Sequence, residues 1–202
     1  MRIWAIVPVK PFRLAKSRLA LALDANQREV LSRQFLTHVL RVLNSLPQIE
    51  RTVVVSRDPA ALHLARDEHA FTLQEQGEPN LNHALQLATR WAKAFHVNAV
   101  LVLPSDLPKL TATEVAVLLQ PGDHPLVSVV PDRHGTGTNA LFVRPPGLLH
   151  YQFGLHSLQA HLAQADTQGA EVHIFQLPSI AFDVDEPHDL TLAQHNYSYW
   201  TY

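Results

Sequence analysis

The strand-forming runs of this chain are apolar at consecutive positions, and amphipathic helical stretches separate them. "RIWAIVPV" (2–9), "RTVVVS" (51–56) and "NAVLVLP" (98–104) carry no polar alternation, so a strand made from any of them buries both of its faces. That pattern selects a three-layer α/β arrangement, a mostly parallel sheet with helices on both faces and right-handed crossovers. "FTLQ", "PLVSVVPD", "TNALFVRP" and "EVHIFQLP" supply further strands. The spacing predicts a helix over 27–46 with Leu31, Phe35, Val39 and Val42 on one face, and others over 81–95 and near 155–165. Asp58 with Pro59 opens a helix as N-cap and first-turn proline. Thr111 with Glu114 has capping-box spacing, and the last helix opens at "DEPHDLTLAQH". There is no internal repeat, low-complexity stretch or linker, so residues 1–202 read as a single domain.

Composition matters here for what it excludes. A formal net charge of −2 gives no global attraction to nucleic acid or to an anionic membrane, so any cationic site is local. The absence of cysteine removes disulfides, thiolate metal sites and a cysteine nucleophile, and fits a reducing cytoplasm. No run reaches the roughly 18 apolar residues of a membrane span, and the first strand is too short for a signal segment. Thirteen histidines invite a metal reading, but none forms HExxH or an i, i+4 pair with a third ligand nearby, and His156 and His161 are five apart. They read as scattered surface residues. The aromatic tail "YSYWTY" (197–202) suits either solvent or a homodimer interface, with the dimer slightly favoured.

In an open parallel sheet, ligands sit outside the carboxyl ends of the strands, which directs attention to four loops. "VPVKPFRLAKSRLA" (7–20) places Lys10, Arg13, Lys16 and Arg18 after the first strand with no glycine among them. Side-chain cations rather than backbone N–H groups would then hold an anion, lysine as a point charge and arginine as a fork; a solvated basic turn explains the loop equally. Asp106 in "LPSDLPKL" is placed to hold magnesium, which takes hard oxygen ligands, or to sit in a proline-bounded turn without a ligand. "PDRHGTGTNAL" offers two glycines and two threonines, and a tight hairpin accounts for it as well as a ligand does. In "FDVDEPHDL", Asp183 and Asp185 point to one side of an extended segment, while Asp185 is equally placed to cap the last helix. Together these loops suit a nucleoside triphosphate with magnesium.

Read in order, "VPVKPFRLAKSRL", "LPSDLP", "GTGTNAL", "FGLHS" and "FDVDEPHDL" resemble the 2-phospho-L-lactate guanylyltransferase family, whose bacterial members include phosphoenolpyruvate guanylyltransferases of coenzyme F-420 biosynthesis. The resemblance covers about residues 3–192. It implies a Rossmann-like fold of the nucleotide-diphospho-sugar transferase type. It further implies that Lys10, Lys16 and Arg18 hold the triphosphate of GTP and that Asp106, Asp183 and Asp185 bind Mg2+. Thr138, Gly154 and Ser157 match positions that hold the carboxylate and phosphate end of a three-carbon phospho-acid. Asn82 would meet the nucleoside, or else cap its helix. Pro79-Asn80 stands where the family has a glycine.

The implied reaction is attack by the acceptor's phosphate oxygen on the α-phosphorus of GTP, with pyrophosphate leaving and no general base needed. Rival readings are a nucleotidyltransferase using CTP or UTP, a non-catalytic nucleotide-binding module, and a glycosyltransferase with a DxD. Absence of a glycine-rich opening, three intact aspartates and the C-terminal place of the acidic pair argue against them in turn.

Overall fold

The computed structural model describes residues 1–196. The dimer expectation rested on 197–202, which lie outside them. Seven strands form one sheet in the order β3-β2-β1-β4-β6-β5-β7: β1 Ile3–Val9, β2 Ile49–Ser56, β3 Phe71–Gln74, β4 Ala99–Val102, β5 Leu126–Pro131, β6 Thr138–Arg144 and β7 Glu171–Ile174. β1 is flanked in parallel by β2 (Val7 opposite Val54) and by β4 (Ile6 opposite Val102).

Both faces of β1 are covered, which explains its unbroken apolar run. Ile3, Ala5, Val7 and Val9 pack on one side with α1 (Ala25–Asn44), α2 (Pro59–Asp67) and α4 (Ala112–Leu118). Trp4 and Ile6 face the other side, against α3 (Leu81–Ala94) and α5 (Ser157–Thr167).

One strand runs against the rest. β6 is antiparallel to both β4 and β5. The segment 132–137 is far too short for a parallel crossover, which needs a dozen or more residues, so the glycine-threonine stretch is a hairpin. This reversal has a consequence for the site. With Leu141 opposite Val102, the start of β6 projects beyond the carboxyl end of β4. Thr138 and Asn139 therefore reach the ligand-binding edge from the opposite direction.

A smaller apolar cluster fixes the cationic loop. Leu19, in the 3-10 turn Ser17–Leu21, is fully buried with Leu31 and Phe35 of α1 and with Val184 and Leu190 beside and within α7 (Pro187–Asn196). Burial of a leucine is worth about 1.5–3 kcal/mol, enough to hold a loop that lacks strand hydrogen bonds.

Three local expectations change. The first long helix starts at Ala25, not 27, because Asp24 and Gln27 form a reciprocal capping box. Thr111 accepts the Glu114 N–H, yet Glu114 does not reciprocate; its carboxylate binds the N–H and hydroxyl of Ser179 in α6 (Pro178–Ala181), a short helix the sequence reading missed. α7 opens at Pro187, and Asp185 does not act as its cap.

Candidate active site

A cleft of about 740 Å³ opens at the carboxyl ends of β1, β2 and β4. Lys10, Lys16, Arg18, Asp106, Thr138, Gly154, Ser157, Asp183 and Asp185 all line it. Its centre is the Lys16 ammonium, which bonds to Asp106 and lies 3.4 Å from Asp185. The Lys16 side chain is 5% exposed. Burial alone pushes its pKa down, but Asp106, Asp185 and Asp183 outweigh that, and the net shift is upward. Lys16 adopts a left-handed backbone (φ 56°), a conformation costly for a non-glycine residue, and this turn of the chain carries the ammonium inward. Arg18 is 70% exposed and stands 3.6 Å from Asp185 at the cleft rim. Lys10 is exposed on the cleft wall.

Asp183 and Asp185 are positioned by groups that give no isolated signal in the sequence. The Asn139 amide donates to the Ile180 carbonyl (3.0 Å) and contacts Asp183 at 3.4 Å. Asp189, buried in the first turn of α7, reaches back to accept the N–H groups of Asp185 (2.9 Å) and Glu186 (2.8 Å). Arg133 grips Asp189 with both guanidinium nitrogens. Burial pushes the Asp189 pKa up, but Arg133 and the two N–H donors pull it below the usual range. With its backbone N–H taken by Asp189, Asp185 turns its own carboxylate to Lys16 and Arg18. Asp58 caps α2 with one oxygen and accepts the Phe12 N–H with the other (2.8 Å), tying the cationic loop to the end of β2.

Two carboxylates, Asp106 and Asp185, contact one ammonium, and the charge of Asp183 also acts on it, which leaves a surplus of negative charge. Burial and the charges of Asp106 and Asp185 together push Asp183 above its ordinary pKa. Hard oxygen donors of this kind are the type a small divalent cation such as magnesium takes, but among the described residues no group of three such ligands is gathered closely enough to hold an ion as it stands.

The other end of the cleft is built on Thr138. Its N–H donates to Ser157 Oγ (3.0 Å), the first residue of α5. Its hydroxyl meets His161 Nδ1 at 3.1 Å. His161 Nε2 lies 3.1 Å from the Gln152 N–H, which only donates. Nε2 is thus the bare nitrogen, Nδ1 carries the hydrogen, and the Thr138 hydroxyl accepts it with its own hydrogen left for another acceptor. Burial lowers the His161 pKa to about 4. The expectation of scattered surface histidines fails here, and the missed signal is i, i+4 spacing with buried Ser157 and Ala165 on one face of α5.

His161 also makes a stability prediction. Its folded pKa of about 4 lies below the unfolded value of 6.5, so unfolding takes up a proton in that window. The stability this ring contributes is full above pH 6.5 and is lost as pH falls toward 4, amounting to about 3 kcal/mol. Urea unfolding at pH 7 and pH 4.5 should show most of that difference, about 2.5 kcal/mol, in wild type beyond what His161→Gln shows.

Asn82 does not enter the cleft. Its amide donates to the Phe153 carbonyl (3.1 Å) and accepts the Phe153 N–H (2.7 Å), which occupies both ends of the side chain. Nor does it cap α3; Asn80 does, accepting from the His83 N–H at 3.0 Å. The Pro79-Asn80 departure is thus a helix entry. Asn82 instead braces the loop that carries Gly154 and Ser157.

Comparison with known proteins decides the family. The family model described as "Guanylyl transferase CofC like" matches residues 2–196. The chain belongs to this family. It is 41% identical over 191 residues to the phosphoenolpyruvate guanylyltransferase of Rubrobacter xylanophilus, covering 94% of this chain and 92% of that one. The protein of the same description from Roseiflexus castenholzii is 41% identical over 196 residues, covering 96% and 89%. Among solved structures, a Desulfovibrio desulfuricans G20 protein assigned to the nucleotide-diphospho-sugar transferases superposes with TM-score 0.76 at 17% identity, covering 98% and 89%. A nucleotidyl transferase from Methanothermobacter gives 0.66 at 14% identity, covering 96% of each chain. These structures share the fold, and the family makes the chain a guanylyltransferase. No helix among the described residues is long and apolar enough to cross a membrane.

Proposed function

We propose that this guanylyltransferase joins GMP from GTP to the phosphate of phosphoenolpyruvate, releasing pyrophosphate, as a step of coenzyme F-420 biosynthesis. The observation that carries the reading is the division of one cleft: cations and carboxylates around Lys16 at its centre, and Thr138, Gly154 and Ser157 at one end. The curated relatives named for phosphoenolpyruvate support the choice of acceptor.

An acceptor phosphate oxygen attacks the α-phosphorus, a new P–O–P bond forms, and the bond to the β-phosphate breaks. The acceptor phosphate is ionised at pH 7, so no side chain has to remove a proton. The protein's task is to bring two anions together. Lys10 and Arg18 neutralise the triphosphate, and Lys16 has an N–H hydrogen beyond its two aspartate contacts for a phosphate oxygen. Thr138 donates its free hydroxyl hydrogen to the acceptor, and Ser157 stands at the N-terminus of α5, where the helix field favours an anion. Magnesium held by Asp106, Asp183 and Asp185 would neutralise charge on the triphosphate and on the leaving pyrophosphate.

The test is pyrophosphate release by purified protein with magnesium, each nucleoside triphosphate, and phosphoenolpyruvate, 2-phospholactate or 3-phosphoglycerate, with products identified by mass. Release with GTP and phosphoenolpyruvate is expected. Release with CTP or UTP alone would keep the chemistry and discard the guanine assignment. Binding of GTP without release on any acid would favour a binding module.

A further inference from the structure

Two charged side chains of the cleft have no part in the scheme above. Arg57 and Glu75 both line it, immediately after β2 and β3. Ser56 and Gln74 pair across those strands, and the Glu75 N–H donates to the Ser56 carbonyl at 2.9 Å, so the two side chains leave the sheet side by side. Arg57 Nε stands 3.6 Å from Glu75 Oε2. From the same and neighbouring segments Pro8, Val55, Pro79, Leu81 and Leu85 add apolar surface to the cleft lining, with Lys10 and Asn80 as polar groups among them. An apolar slot with a cation and an anion adjacent at its edge is the form of a base-recognition site.

We infer that Arg57 and Glu75 select guanine, an inference that rests on the guanylyltransferase reading. Guanine presents O6 as acceptor next to two donors, N1–H and the 2-amino group. A guanidinium beside a carboxylate is the complement of that edge. Adenine reverses it, placing an exocyclic donor toward the guanidinium and the bare N1 toward the carboxylate. Both residues are braced for this. Glu75 Oε1 accepts the Asn80 N–H at 2.9 Å, and a carboxylate retains further lone pairs for a ligand. One Arg57 nitrogen donates to the Gly77 carbonyl, while Nε is buried with no hydrogen-bond partner. The loop that carries Pro79 and Asn80 thus holds Glu75 in place through the Asn80 N–H.

The experiment compares kcat/KM for GTP, ITP and ATP in wild type, Glu75→Gln and Arg57→Met. ITP keeps O6 but lacks the 2-amino group, so it separates the two contacts. Wild type should prefer GTP over ITP by about tenfold or more, since a bidentate base contact is worth about 1–3 kcal/mol. In Glu75→Gln the GTP value should fall about 100-fold and the GTP:ITP ratio should collapse toward one, with ATP unchanged or improved. Arg57→Met should lower GTP and ITP together. Equilibrium binding of the same nucleotides reads the same ratios where a variant turns over too slowly, and an unchanged KM for phosphoenolpyruvate shows an intact acceptor end. Wild-type turnover of GTP with unaltered nucleotide ratios in Glu75→Gln overturns this inference alone. A wild type that binds and uses no guanine nucleotide overturns it together with the reading beneath it.

Discussion

Lys16→Met should lower kcat by about a thousandfold and make thermal stability rise with added divalent cations. Methionine replaces most of the lysine stem, ends one atom short of the ammonium and removes its charge and N–H donors, which leaves Asp106, Asp183 and Asp185 without their counter-charge. Loss of one preorganised charge from a site of developing anion costs about 10²–10³ in rate, and Lys16 also holds the carboxylates together. Stripping a buried charge cluster of its partner costs about 3–5 kcal/mol; with Asp185 and Asp106 partly exposed, about 2 kcal/mol is expected at pH 7. The signs can be checked separately. In wild type the raised Lys16 pKa gives stability that is present below 10.5 and lost as pH rises through the folded value. In Lys16→Met the deficit should shrink as pH falls and the aspartates protonate, and magnesium should restore thermal stability without restoring turnover. A variant with wild-type turnover would remove Lys16 from the chemistry.

The layers of the fold were legible because a strand buried on both faces can only be written as a continuous apolar run. The direction of β6 was not. Its run, "TNALFVR", is buried along its whole length, as a central strand of either direction would be, and carries no arrow; the short connection over 132–137 holds that information. The hairpin's own constraint lies in Gly135, whose φ of 71° is in the left-handed region that favours glycine, so that glycine is explained by the turn.

The charged residues that meet at Lys16 stand out in the sequence because each follows a strand or a sharp turn. The residues that aim them do not. Asp189 looks like an ordinary first-turn acid until the chain folds back, and Arg133 is 56 positions away from it. Asn139 lies in a buried strand, where an amide always needs a partner, and that polar break in an apolar run was the available clue. Asn82 and Asn80 show the opposite failure. Two asparagines flank one helix start, and which of them caps depends on where the first turn begins, a matter of one or two residues.

Asp106→Asn should retain the fold and lose about a hundredfold or more in kcat. Asp106 follows β4 in a loop, with a side chain that is 24% exposed, so no core packing depends on its charge. Asparagine keeps an oxygen for the Lys16 ammonium, and Lys16 retains Asp185 at 3.4 Å with Asp183 also acting on it. Unfolding free energies should therefore agree with wild type to within about 1 kcal/mol, the range of substitutions that create no cavity and no orphaned charge. The rate effect has a different origin. An amide supplies neither the negative charge nor the basicity of a carboxylate toward a hard cation, and transition-state stabilisation by a bound metal is worth several kcal/mol, of which about 2.7 kcal/mol is a factor of 100. Magnesium titration distinguishes the causes. A metal ligand predicts a raised magnesium requirement together with a lowered plateau, and the pyrophosphate assay reads both. Full turnover at saturating magnesium would assign Asp106 to Lys16 alone, as the counter-charge that draws the ammonium into the cleft.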